Sequence, residues 1–417
     1  RASPRPPTAS AASPPMAGAQ LSPPRDLTLP EPGSTTARAV LSAAMRRLVR
    51  DLQMAAARAP HGARHEAGEL ARVVSATARD APGALISAIR RPTVGALIRC
   101  VRNHSMAGRE ELLVALLAHL VFELALAGAL PVPVRLRRFP ERLLSIAARL
   151  AVSIPTDASA VLVENGRLTI ERARGTTTIN LEAPREEEIE RPYHVISGEI
   201  VLALADNNPL AMEEAHPGKS GNAIDLGGRE AAAWTSALEE AFALIGRYLP
   251  DLRGEMDLYL QQVIPVGWDA EKHLSASYQE AIGTIYLSLH PSGMTLAEAL
   301  IHEFSHNKLN ALFEVDEVLE NAWSPLYASP VRPDPRPLHG VLLAVHAFLP
   351  VARLYEKMIE ARDPRAKNES FLGRFAAIRK INREGAEIVL GNSKATVIGA
   401  GLLEEIQRWD TYYARWG

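Results

Sequence analysis

The sequence predicts an α+β protein, predominantly helical, with a small central β-sheet and a metal-binding H-E-x-x-H helix. Three observations carry this. Apolar residues at helical spacing dominate residues 36–152 and return from Thr295 onward. Alternating, strand-like runs fall between these two regions. The stretch "IHEFSHNKL", Ile301 to Leu309, lies inside the second helical region. A chain of 417 residues is too long for one small core. The expected organisation is a disordered Pro/Ala/Ser-rich tail over 1–34, a helical N-terminal subdomain over 35–155, and an α+β metal-binding catalytic domain over 156–417.

The tail, "RASPRPPTASAASPPMAGAQLSPPRD", has no apolar run that would mark a secretory signal, and too little apolar surface to fold. In "TARAVLSAAMRRLVRDLQMAAARA", Val40, Leu41, Met45, Leu48 and Leu52 form one stripe. "APGALISAIRRPTVGALIRCVRN" gives shorter helices broken at Pro92, and "PERLLSIAARLAVSI" adds another. The most apolar run, Leu112 to Leu130, approaches a membrane span in length. His119 and Glu123 interrupt it, and Gly128 and Pro131 end it, so a buried core helix is expected.

"SAVLVENGRLTIERA" alternates apolar and polar residues about Asn165-Gly166 and predicts a hairpin with a type I′ turn. Short strands follow in "HVISGEIVLALAD", then a loop rich in Asn, Pro and Gly, then a helix over Glu230–Leu249. "YLQQVIPVG" and "GTIYLSLH" read as strands, the second able to offer an edge to an extended peptide. "TLAEALIHEFSHNKLNALF" opens with Thr295 and Glu298 at capping-box spacing, so the motif lies about two turns into a helix. Five prolines in residues 321–338 exclude regular structure there, and three helical stretches complete the chain.

Net charge is −2, with 47% hydrophobic and 23% charged residues, an ordinary balance that supplies no basic field for nucleic acid or an anionic membrane. The single cysteine, Cys100, builds neither a disulfide framework nor a cysteine zinc site, and a cytoplasmic location is expected.

His302 and His306 are four apart, so on a helix their imidazoles sit on one face as a clamp for a metal. A third ligand is needed. Glu314, Glu317 and Glu320 lie a short distance downstream. His339 and His346, seven apart in "PLHGVLLAVHAFLPV", share one face of the next helix, and either could complete the site. In "RPDPRPLHG", Arg332 and Arg336 are held by prolines; a guanidinium near a metal is a carboxylate receptor. A zinc peptidase would use Glu303 to deprotonate a metal-bound water. A 2-oxoglutarate oxygenase would need a basic residue for the cosubstrate's distal carboxylate. A scaffold with a relic motif is the non-enzymatic alternative.

"HEFSHNKLNALFEVDEV", "SPVRPDPRPLHGVLLAVHAFLPVARLYEKM" and "DNNPLAMEEAHPGKSGN" resemble the H-E-x-x-H motif-domain family found in gene clusters for ribosomally made, post-translationally modified peptides. The resemblance covers roughly residues 190 to 410. It implies an iron(II)- and 2-oxoglutarate-dependent peptide β-hydroxylase, a dioxygenase whose partner is a precursor peptide rather than nucleic acid or membrane. It further implies that His302 and His306 bind iron, with His339 or His346 as third ligand. Arg336, with Arg332 second, would take the oxoglutarate carboxylate. Three protein ligands on an octahedral ion leave two positions for the keto acid and one for dioxygen. Glu303 would then orient a ligand or water. Zinc-dependent proteolysis of the same precursor, with Glu303 as general base, is the alternative.

Overall fold

The computed structural model describes residues 21–103, 108–212, 215, 216 and 219–416. Five helices come first: α1 (Thr36–Ala57), α2 (Arg64–Asp80), α3 (Pro82–Arg90), α4 (Pro92–Asn103) and α5 (Arg109–Leu126). The predicted stripe of α1 is buried at all five positions. Pro92 occupies the first turn of α4, where its missing N–H costs nothing. α5 is buried along almost its whole length, as a core helix.

Strands follow: β1 (Val134–Leu136), β2 (Arg142–Ser145), β3 (Leu150–Ser153), β4 (Ala158–Glu164), β5 (Arg167–Arg172) and β6 (Gly175–Asn180). The helix expected in "PERLLSIAARLAVSI" is therefore corrected: β2 and β3 form an antiparallel hairpin there. Its turn is fixed locally, because the Ala148 N–H donates to Ser145 Oγ (3.1 Å) and Arg149 takes a left-handed φ of 54°. The helical part ends at Leu126 rather than at 155. β4 and β5 pair about Asn165-Gly166 as predicted, but of these two only Gly166 is left-handed, with φ 68°. A type I′ turn needs both central residues left-handed, so that form is excluded, and the Asn165 amide instead clamps the Leu130 N–H (2.8 Å) and C=O (3.0 Å). β1, β4, β5 and β6 make one antiparallel sheet, in the order β1-β4-β5-β6.

The second sheet carries the site. Its members are β7 (Tyr193–Ser197), β8 (Ile200–Ala203), β11 (Gln262–Trp268), β12 (Ser275–Ala276) and β13 (Thr284–Leu289). A two-residue pair, β9 (Ala215–His216) and β10 (Lys219–Ser220), and the helices α6 (Ala231–Tyr248) and α7 (Pro250–Tyr259) lie between β8 and β11. The order is β12-β13-β11-β8-β7, with β8, β11 and β13 parallel and an antiparallel strand at each edge. β13 is thus interior, and the edge expected of "GTIYLSLH" belongs to β12. Side chains divide by parity: Leu202, Val263, Ile285 and Leu287 join the main core, whereas Val201, Ala203, Ile264 and Tyr286 form a smaller cluster on the other face.

The motif helix, α8 (Gly293–Phe313), follows β13. Its N-cap is Ser292, whose Oγ accepts from the Thr295 N–H (3.3 Å), so the Thr295–Glu298 capping box is not used. The proline-rich segment is mostly irregular but holds a two-residue ladder of β14 (Leu326–Tyr327) with β15 (Arg336–Pro337). The chain closes with α9 (Leu338–Glu360), α10 (Glu369–Asn392) and α11 (Val397–Ala414). Among the described helices α9 alone is long and apolar enough to cross a membrane, and most of that stretch is buried inside the fold.

The disorder expected over 1–34 is corrected from residue 21; residues 1–20 lie outside the described residues. Leu27 and Thr28 are fully buried. The Thr28 and Leu29 N–H groups donate to the Glu405 carboxylate at 3.0 Å. Gly401 faces this segment, where a Cβ would lie 2.6 Å from the Pro24 carbonyl oxygen. One hydrophobic cluster runs from Leu27 to Tyr413 and takes in both helical regions.

Candidate metal centre

His302 and His306 project from one face of α8, half-buried, with their Nε2 atoms 3.0 Å apart. Burial pushes both imidazoles down to about 4, and each is thus neutral near pH 7 with a lone pair to give. Two neutral imidazole nitrogens that converge so closely form a donor pair suited to a divalent transition ion.

Glu303, one position on, lies between the histidine pair and the segment of the edge strand. It is 3% exposed. Ser275 Oγ donates to Oε1 and Ser277 Oγ to Oε2, each at 2.7 Å. Residues two apart on an extended segment share a face, so one pair of serines meets both oxygens. Donor atoms of His302, Glu303 and His306 all lie within 4.8 Å of one another, and this is the only such group of three among the described residues.

The rest of α8 is anchored on every side. Asn307 accepts from the Gly283 N–H (2.7 Å) and donates to the Glu303 carbonyl (2.9 Å). Lys308 is fully buried, with Nζ 2.6 Å from Glu255 Oε2 on α7. Glu298, one turn before His302, accepts from the Tyr355 hydroxyl and from Arg374 Nη2 (2.7 Å) and Nε (3.0 Å). The Arg374 charge also depresses His302, after burial and His306. Phe348 on α9 packs its ring against that of His302, centroids 4.8 Å apart.

The remaining expected ligands are placed elsewhere. His339 is sandwiched between Phe313 and Trp323, with centroids 4.5 Å from each. His346 is fully buried, and neither ring nitrogen has a hydrogen-bond partner among the described residues. Burial pushes it well down, helped by Lys308 and His306. Neither histidine joins the group of three. Glu314 belongs to an ion-pair network: Arg102 Nη1 lies 2.6 Å and Arg99 Nε 3.6 Å away. Glu317 and Glu320 are exposed. Arg336 Nε lies 2.9 Å from Asp334 Oδ2, and Arg332 is exposed. In the "DNNPLAMEEAHPGKSGN" stretch, Asp206 accepts from the Tyr286 hydroxyl (2.6 Å) beside the mixed sheet; residues 213, 214, 217 and 218 lie outside the described residues.

Sequence reading missed Ser275, Ser277, Tyr355 and Arg374. The serines carried a usable signal, a Ser-x-Ser spacing in an extended run. Arg374 carried none, because α10 reaches Glu298 only through the tertiary fold. No family model matches the chain, and no curated protein matches it significantly.

Proposed function

We propose that this chain is a cytoplasmic, metal-dependent enzyme that oxidises a peptide: iron(II)- and 2-oxoglutarate-dependent hydroxylation of a side-chain β-carbon in a ribosomally made precursor. His302 and His306 would hold the ion, and their neutral, converging nitrogens fit it. Iron with 2-oxoglutarate supplies the oxidation: one oxygen of dioxygen enters the substrate C–H bond, the other enters succinate, and carbon dioxide leaves. The chain's own contribution is to hold the clamp, keep it neutral and cover it with Phe348.

The observation that favours oxidation over hydrolysis is the setting of Glu303. Each of its oxygens accepts a serine hydroxyl, which ties the carboxylate to the edge strand. That suits a group that orients its neighbours. A hydrolytic base must instead move onto a metal-bound water, and although each Glu303 oxygen keeps a second lone pair, the two serine bonds restrain that movement. The resemblance to the peptide-modifying family points the same way.

Zinc-dependent proteolysis is the second reading, supported by the closeness of Glu303 to both histidine nitrogens. Anaerobic reconstitution with iron and 2-oxoglutarate, then air and a precursor peptide, separates the two. The expected product is an uncut peptide heavier by one oxygen, with succinate formed in step. A cut peptide, formed without 2-oxoglutarate and abolished in Glu303→Gln, would overturn the proposal.

A further inference from the structure

We infer that β6 is the contact strand of a homodimer. It pairs antiparallel with β6 of a second copy, about a two-fold axis at Thr178, and joins the two four-stranded sheets into one. The contact uses none of the residues placed at the metal centre.

β6 ends one side of the β1-β4-β5-β6 sheet and has no partner strand on its outer side among the described residues. An open edge is a template for another strand, and proteins usually blunt it with charge, proline or shortness. β1, at the opposite edge, is blunted in this way: it is three residues long, carries Arg135 and follows Pro131 and Pro133. β6, "GTTTIN", is six residues long with no charged residue and no proline. Its threonines and isoleucine favour an extended chain. Thr176, Thr178 and Asn180 are exposed.

The ladder fixes which backbone groups face outward. In an antiparallel pair, residues that exchange hydrogen bonds with the partner strand alternate with residues that do not. The β5–β6 register, continued by one residue, sets Gly166 opposite Leu181, and the Gly166 carbonyl accepts from the Leu181 N–H (2.8 Å). Ile179 and Thr177 therefore bond to β5, while Thr176, Thr178 and Asn180 turn their N–H and C=O groups outward. A second β6 laid antiparallel about Thr178 sets Thr178 against Thr178 and Thr176 against Asn180, so every outward group finds a partner. The same register brings Arg174, in the turn before β6, to Glu182, just after it. Both are exposed and have no ion-pair partner among the described residues, unlike Arg172 and Glu171, which pair with Asp157 (3.9 Å) and Arg135 (2.6 Å). Within one chain Arg174 and Glu182 stand about 26 Å apart, eight strand residues at ~3.3 Å each, so they meet only across copies. An axis at Thr177 would instead set Glu182 against Arg172, which Asp157 already engages. A strand with a basic start and an acidic end complements its own reverse, the property a two-fold contact needs.

Sedimentation velocity of the full chain over a concentration series reads the contact, and the expected result is a shift from one chain to two. Arg174→Glu should weaken the dimer about tenfold, because both symmetric contacts turn from attraction to like-charge repulsion. Adding Glu182→Arg should restore wild-type affinity, which neither a damaged fold nor a pair within one chain can produce. Thr178→Lys sets two ammonium groups against each other on the axis and should leave a monomer with unchanged circular dichroism. Opposite residues that exchange bonds have Cα atoms about 5.5 Å apart, within disulfide reach. Mild oxidation should therefore link two chains of Thr178→Cys but not of Thr176→Cys, and Cys100 is fully buried. A monomer at every concentration would overturn the inference. So would a dimer indifferent to Thr178→Lys and to the exchange of Arg174 and Glu182.

Discussion

His302→Ala and His306→Ala should each remove tight zinc or nickel binding while leaving the helical circular dichroism unchanged, because each deletes one of two facing donors on the surface of an already formed helix. Zinc titration of each variant checks this, and retained affinity in either would remove that histidine from the site. Ser275→Ala with Ser277→Ala should lower stability by roughly 2–6 kcal/mol, since two buried carboxylate oxygens lose their donors. Urea unfolding measures it. At this scale the pair of helical histidines was fully legible, because four-residue spacing is a local property. The tertiary neighbours of the motif helix were not, because the Arg374–Glu298 ion pair depends on how α10 is carried by α9. The same holds for Glu314, which looked like a ligand by distance along the chain and proves to be held by Arg99 and Arg102.

Helix α5 carries two buried ionisable groups one turn apart with opposite effects. Burial pushes His119 down to about 4 and Glu123 up to about 7. The neutral histidine costs stability as pH falls from 6.5 toward 4, because only the unfolded chain takes up the proton there. The protonated glutamate adds stability as pH falls through 7 toward 4.5, because only the folded chain holds the proton. The two largely cancel. His119→Leu should therefore yield a protein that gains roughly 3 kcal/mol between pH 7.5 and 4.5 relative to wild type. Chemical denaturation across that range tests this, and an unchanged pH profile would refute it. Glu314→Gln should cost roughly 3–5 kcal/mol, because burial pushes the carboxyl up and Arg102 with Arg99 more than reverse this. Elements of strong period were legible: α1, α6, α8, β11 and β13 stand where the pattern put them. The β2–β3 hairpin was not, because a few apolar residues in "LLSIAARLAV" fit either period and the decision fell to Ser145, Arg149 and the face of α5.

Across the whole molecule the core ignores the composition boundary near residue 155 and runs from Leu27 to Tyr413. The N-terminal segment was misread because its prolines and serines hide a short apolar stretch, Leu27 to Leu29, that folds only against Glu405. Removing residues 1–33 should strand that buried carboxylate and lower stability by on the order of 3 kcal/mol or more. Thermal unfolding and limited proteolysis of the truncated chain report it, and an unchanged melting temperature would count against this account. A last consequence belongs to the anchoring of α8. It is tied at Glu298, Glu303, Asn307, Lys308 and Glu314, through partners on the edge strand and five other parts of the fold. An ion arriving between His302 and His306 finds a finished seat and immobilises almost nothing new. Occupancy then adds stability only through mass action, in proportion to the logarithm of free metal over its dissociation constant. Such a seat lets metals be exchanged one for another without rebuilding the protein around them.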